Sequence, residues 1–227
     1  MEAKISTPSA ELLNLIFFSK AEFETSITYT ITQANLKIVE ISNCCSFFLS
    51  GIFSEDFFDI LEVETKMMSF SLPYPFYFRE GLLKIDLQGK KLSLESEIQN
   101  KNYKYENILF TNTGKPKAVD VDINFDDYLK IKSQPLDFLS GFRKNLKFWI
   151  KDNYIQISEN DYIVSLICEN FGKNLDVEFI LDLKTVRRIF SISEFFGEFM
   201  LYLGNSNVIN IIWKDEGVNL SCYLVYD

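Results

Sequence analysis

Histidine is absent from this 227-residue chain. That removes the side chain that most often moves protons near neutral pH and most often binds transition metals. Cysteine is scarce: Cys44, Cys45, Cys168 and Cys222, two of them adjacent and none in a C-x-x-C spacing. With no histidine to complete a ligand set, these read as buried thiols in a reducing compartment, and no metal site is expected. Long apolar runs are missing as well. The most apolar stretch, residues 44–53, is far too short to cross a bilayer, and Glu2, Lys4 and Glu11 interrupt the N-terminus. Neither a membrane span nor a signal segment is therefore expected, and the reading is of an intracellular soluble protein. There is no G-x-G-x-x-G, no phosphate-binding G-K-[ST] and no nucleophile with a histidine base. The carboxylate pairs Glu55-Asp56 and Asp126-Asp127 fall in loops or strand ends, where turn and capping roles are the ordinary ones. No enzyme and no cofactor are expected.

What remains is an ordinary globular composition, 47% hydrophobic and 24% charged, long enough for one large domain or two small ones. The 22 phenylalanines read first as core. A different class of function, a small-molecule-binding or enzymatic α+β domain, would need them to line a cavity with convergent polar groups. A net charge of −9 argues against a simple basic face wrapped on nucleic acid. It leaves open a molecule acidic outside and basic along one wall.

Period-two alternation predicts strands at residues 22–32, 36–41 and 45–53, with Ala34-Asn35 as a turn between the first two. Residues 82–87 and 92–98 read as a hairpin about Gly89, and 101–110 as a further strand. Thr7 as N-cap and Pro8 in the first helical position predict a helix over 9–20, and a short one is expected over 65–72, ended by Pro73 and Pro75. Residues 111–117, TNTGKPK, are polar and aperiodic and read as a linker. The pattern then restarts: a strand at 119–124, a helix at 136–146, strands at 147–150, 154–158, 162–169 and 175–181, a helix at 183–192, and strands at 199–203, 208–213 and 218–226. An α+β chain of two lobes follows, 1–110 and 121–227, joined by a connector at 111–120.

Two helices draw attention. Lys184, Arg187 and Arg188 fall at i, i+3 and i+4, opposite Leu183, Val186, Ile189 and Phe190. The expected helix at 136–146 sets Leu136, Leu139, Phe142 and Leu146 against Arg143, Lys144 and Lys147. Either set alone reads as a solvated face. Gathered in one lobe of an acidic chain, they also suit loose contact with phosphates, which needs charge but no base-reading geometry.

Three stretches carry a resemblance: residues 41–58, ISNCCSFFLSGIFSEDFF; residues 103–112, YKYENILFTN; and residues 183–194, LKTVRRIFSISE, with the following 199–226. In order and spacing the chain resembles the PCNA-like sliding clamp family, and within it the "nine" subunit of the nine-one-one checkpoint clamp. The resemblance implies a two-lobed fold with antiparallel sheets outside and short helices on the inner face. It implies a ring of three subunits around double-stranded DNA in the nucleus, with two other clamp subunits, a clamp loader and clamp-binding repair or checkpoint proteins as partners. A homotrimer of the replication-processivity type is the alternative. By the same resemblance Arg143, Lys144, Lys147, Lys184, Arg187, Arg188 and Lys20 would face DNA. Ile41, Val119 and Tyr226 would border a partner-peptide pocket beside the connector. Subunits would join through edge strands carrying Lys104, Tyr105, Ile108 and Phe110 on the first lobe, and Tyr162, Val164 and Leu166 on the second.

Overall fold

Alternation at period two builds most of the molecule, and its helices are few. The computed structural model describes residues 1–17, 25–32, 34–42, 46–63, 67–71, 77–86, 91–98, 101–108, 110–111, 128–172, 175–204 and 207–226. The chain divides into two units, Met1–Ala118 with Asp215–Leu220, and Val119–Lys214 with Ser221–Asp227. Apart from Thr111, the expected connector at 111–120 lies outside the described residues, as does the strand expected at 119–124.

The N-terminal unit contains β1 (Glu2–Ile5), α1 (Thr7–Phe17), β2 (Thr25–Thr32), β3 (Asn35–Ser42), β4 (Phe47–Ser54), β5 (Ile60–Glu62), β6 (Met67–Ser71), β7 (Gly81–Asp86), β8 (Lys91–Ile98), β9 (Lys101–Ile108) and β10 (Phe110–Thr111). Five strands form a sheet in the order β5-β1-β7-β8-β9, and β10-β6-β2-β3-β4 form a second. In β4, Phe47, Leu49, Gly51 and Phe53 are buried while Phe48, Ser50 and Ile52, which alternate with them, are more exposed. That is the signature of a sheet with one face on a core.

α1 buries Ala10, Leu12, Leu13, Ile16 and Phe17. Its N-cap differs from the expected one. Ser6 precedes the helix, its hydroxyl accepts from Ser9 N at 3.4 Å, and Thr7 Oγ1 instead donates to Glu80. Asn14, on the same helix, clamps a neighbouring segment: its Nδ2 donates to Phe78 O and its Oδ1 accepts from Phe78 N, both at 2.7 Å. Two backbone groups depend on this one side chain, so Asn14→Ala is expected to cost about 2 kcal/mol in chemical denaturation.

Residues 65–72 are not helical where they are described. Met67–Ser71 is strand β6, and buried Phe70 stacks on its cross-strand partner Tyr29, ring centroids 5.2 Å apart. Pairing with an existing aromatic strand outweighs a helix of about two turns that has nothing to nucleate it. The segment expected at 101–110 is two strands, since β10 pairs with β6 in the other sheet. Gly81 opens β7 with φ +147°, and a Cβ there would lie 2.2 Å from the Glu95 carbonyl oxygen, so only glycine fits.

The C-terminal unit contains β11 (Leu129–Lys132), β12 (Asn145–Lys151), β13 (Tyr154–Glu159), β14 (Tyr162–Ile167), β15 (Glu169–Asn170), β16 (Asp176–Asp182), α2 (Leu183–Phe196) and β17 (Glu198–Leu203), with β18 (Val208–Asp215) up to Lys214 and β19 (Val218–Val225) from Ser221 onward. One sheet runs β14-β13-β12-β16, and the other β19-β18-β17-β11-β15. Phe148 and Phe179, stacked at 5.0 Å, face Val186, Ile189 and Phe190 of α2 and Phe199 and Leu201 of β17 around an apolar void of about 20 Å³.

The helix expected at 136–146 is absent. Leu136–Leu139 is a single 3₁₀ turn, and β12 begins at Asn145. Leu139, Phe142 and Leu146 are nevertheless buried. A 3₁₀ turn followed by strand entry inserts the same apolar residues that a helix would, so burial was legible where conformation was not. The strand expected at 162–169 also divides: β14 ends at Ile167, and β15 pairs with β11 in the other sheet.

Candidate functional site

α2 is the best-defined platform for the expected phosphate contacts. Asp182 caps it, accepting from Thr185 N at 2.9 Å and from Thr185 Oγ1 at 2.6 Å. Gly197 ends it in the left-handed region at φ +71°, donating to Ser193 O. Its buried side holds Leu183, Val186, Ile189, Phe190 and Ser193. Trp213 Nε1 donates to Ser193 Oγ at 2.8 Å, and that hydroxyl donates to Ile189 O at 2.7 Å, tying the helix to β18. With that side fixed, Lys184 and Arg187 are exposed, and Arg188 is half-buried.

The other expected cations divide. Lys144 O accepts from Leu183 N at 2.6 Å, so the loop carrying Arg143 and Lys144 adjoins the first turn of α2, where Lys184 stands. That loop is shaped by a residue the sequence did not single out. Glu159 takes hydrogen bonds from Arg143 N at 2.5 Å and Lys144 N at 2.9 Å, leaving both exposed side chains outside the contact. A lone glutamate at a strand end gave no signal of this, because its partners are backbone groups sixteen and fifteen residues away.

Lys147 does not join the group. It lies on β12 between buried Leu146 and Phe148, on the face turned from α2, and pairs with Glu178 at 2.7 Å. Its expected place depended on a helix that is a strand. Lys20 lies outside the described residues.

Each unit has a sheet that ends, among the described residues, on one of the expected segments: β9 on the five-stranded sheet and β14 on the four-stranded one. Lys104 is on β9, exposed, and hydrogen-bonded to Glu106 at 2.8 Å, which raises the ammonium's pKa and lowers the carboxyl's. Tyr105 and Ile108 also lie on β9, with their side chains outside the description; Phe110 is on β10 and so leaves this edge.

On β14 the three expected residues divide, Tyr162 being exposed and the other two not. Leu166 is buried and Val164 half-buried, whereas Ile163 is 55% exposed and Ile167 86%. Tyr162 is also exposed, its ring edge-on to Phe142 at 4.7 Å. Both faces of this strand are apolar in sequence, so alternation alone could not say which one the core takes.

Ile41, half-buried on β3, belongs to the N-terminal unit, and Tyr226 to the C-terminal one, where its ring packs against Phe179 at 5.1 Å. Val119 lies outside the described residues. Cys168 and Cys222 are buried and in no disulfide, and burial pushes the Cys168 thiol up to about 11. Among the described residues no cluster of acidic or sulfur side chains is placed to hold a metal ion, and no helix is long and apolar enough to cross a membrane. The void beside α2 is far below the roughly 300–1,000 Å³ of a ligand pocket, and its lining is wholly apolar.

No protein-family model matches the chain, and no curated protein does. Solved structures do. A chain of the PCNA2–PCNA3 complex from Sulfolobus tokodaii matches with a TM-score of 0.76 at 14% identity, covering 100% of this chain and 99% of that one. Proliferating Cellular Nuclear Antigen from Entamoeba histolytica matches at 0.73 and 13% identity, covering 100% and 98%. The fold is that of the sliding clamp. Within the sliding-clamp fold this chain keeps antiparallel sheets and one α-helix in each unit among the described residues, an α+β architecture. Agreement at so low an identity means that burial pattern and strand order, rather than particular residues, specify the clamp fold here.

Proposed function

We propose that this chain is one subunit of a ring-shaped DNA sliding clamp, a non-enzymatic scaffold that encircles duplex DNA without reading its sequence. The observation that carries the reading is the sliding-clamp fold over the whole chain, with an open sheet edge in each unit among the described residues. Two edges per subunit are what a head-to-tail ring requires. Lys184 and Arg187 on α2, with Arg143 and Lys144 in the adjoining loop, supply charge without a base-reading constellation, which suits a ring that slides.

Within this reading the ring is the DNA-damage checkpoint clamp, acting in the nucleus with two other clamp subunits, a loader, and repair or checkpoint proteins that dock on it. The support is the resemblance of residues 41–58, 103–112 and 183–194 to the "nine" subunit of that clamp.

Topological linkage separates a ring from an ordinary binder. The chain, with the subunits that co-purify with it and the loader, is placed on closed circular DNA and washed at high salt, and the circle is then cut. Retention on the closed circle and release on cutting is the expected result. Equal retention on circular and linear DNA, or none on either, would overturn the proposal.

A further inference from the structure

We infer that the exposed side of α2 binds single-stranded DNA, with phosphates on Lys184 and Arg187 and an unpaired base stacked on Phe195. The inference shares α2 with the clamp reading and goes beyond it, since it needs neither a closed ring nor a second subunit.

Phe195 is 47% exposed, and among the described residues it is the one large apolar side chain on an α-helix left so open. The other exposed large apolar groups lie on strands or in loops. Phe190, earlier on the same helix, packs edge-on against Phe138 at 4.9 Å and against Phe199 at 5.6 Å. Phe195 enters no ring contact among the described residues.

The helical repeat sets Phe195 in line with the cations. At 3.6 residues per turn it lies within about 20° of Lys184 around the axis and about 16 Å along it. Half-buried Ser191 falls on the same line, and exposed Arg187 is roughly 60° to one side. Glu194, the neighbouring carboxylate, is held elsewhere: its Oε1 accepts from Leu136 N at 3.2 Å. The open side of α2 therefore runs from cations, past a hydroxyl, to an aromatic face.

Duplex DNA can use only part of this surface. Its phosphates suit Lys184 and Arg187, but its bases are stacked on one another and offer no face to a phenyl ring. A single strand can use all of it. Every base has an open π-face, so stacking on an aromatic side chain adds affinity without reading sequence. The 16 Å or so from Lys184 to Phe195 exceeds the 3.4 Å rise of a stacked nucleotide several times over. One strand can thus lay a phosphate on a cation and a base further along on Phe195. An apolar protein surface fits less well, because covering Phe195 would also strip water from the neighbouring charges.

Fluorescence anisotropy with three probes of equal length tests this: oligothymidylate, the same strand made abasic, and a blunt duplex. The wild-type chain is expected to bind oligothymidylate about tenfold more tightly than the abasic strand. Phe195→Ala is expected to bind both single strands at the abasic level while its duplex affinity is unchanged, and Phe195→Trp to restore the preference. Lys184→Glu/Arg187→Glu is expected to weaken binding of all three probes. Thermal unfolding of the Phe195 variants should match the wild type, since the side chain is exposed. A Phe195→Ala chain that still prefers bases would overturn the inference, as would an equal loss on single strands and duplex. If Phe195→Ala lowers only assembly with co-purifying subunits, Phe195 is a protein contact and the inference fails. Closed circles separate the two readings. No linkage would sink the clamp and leave the single-strand site standing, whereas linkage without a base preference would sink the site alone.

Discussion

Trp213→Ala is expected to unfold the C-terminal unit or leave it barely folded under conditions where the wild type is native. Trp213 is fully buried on β18, its ring 6.3 Å from Phe199, and its Nε1 donates to Ser193 Oγ on α2. Removing a buried indole costs about 3–5 kcal/mol through lost transfer energy and the void left behind. The lost hydrogen bond adds about 1 kcal/mol. Against a total stability of roughly 5–15 kcal/mol, that is a large share. Trp213→Phe separates the terms: it keeps most of the packing and loses the bond to Ser193, so it is expected to cost about 2 kcal/mol. Urea denaturation of both variants measures this. Equal costs would mean that the hydrogen bond, rather than the volume, holds α2 in place.

The contrast between α2 and residues 136–146 shows where the sequence was legible. Both segments place apolar residues at helical spacing. α2 also has Asp182 to cap its start and Gly197 to end it, so local and global signals agree. In 136–146, Pro135 precedes the segment and Ser140-Gly141 interrupts it, and from Asn145 onward alternation takes over. Leu146, Phe148 and Ile150 are buried on one side of β12, and Lys147 is carried to the other. The error in one element therefore moved one candidate cation to the wrong face, while Arg143 and Lys144 stayed near α2 through the loop that Glu159 holds.

Short strands were missed for a different reason. β1, β5 and β11 have three or four residues each, too few for periodicity to register, and exist because longer neighbours offer them a ladder. β9 and β14 did show as strands, yet which face of β14 is covered depends on packing against α2 and the opposing sheet. Sequence carries that only as an even choice between Ile163/Ile167 and Val164/Leu166.

Those relocations supply the control for the DNA reading. Arg187→Glu and Lys147→Glu change net charge by the same amount, but Arg187 is on the exposed side of α2, and Lys147 is paired with Glu178 on the sheet face turned from that helix. If phosphates pass α2, Arg187→Glu should shorten retention of the loaded ring on circular DNA and lower the salt slope by roughly 0.9. Lys184→Glu/Arg187→Glu should lower it by about 1.8. Lys147→Glu should leave the slope unchanged. Folding is expected to survive in each case, because Val186, Ile189 and Phe190 hold the opposite side of α2 in the core. A glutamate at position 184 also falls in the first turn, where negative charge favours the helix. Arg188 is the poorer target, being half-buried, so its loss would mix packing with charge. The measurement is the dissociation of the loaded ring at several salt concentrations, with thermal unfolding as the check on structure. Equal effects from Arg187→Glu and Lys147→Glu would mean that total charge alone matters. No effect from either would mean that α2 of this subunit does not line the DNA, whatever the ring encloses.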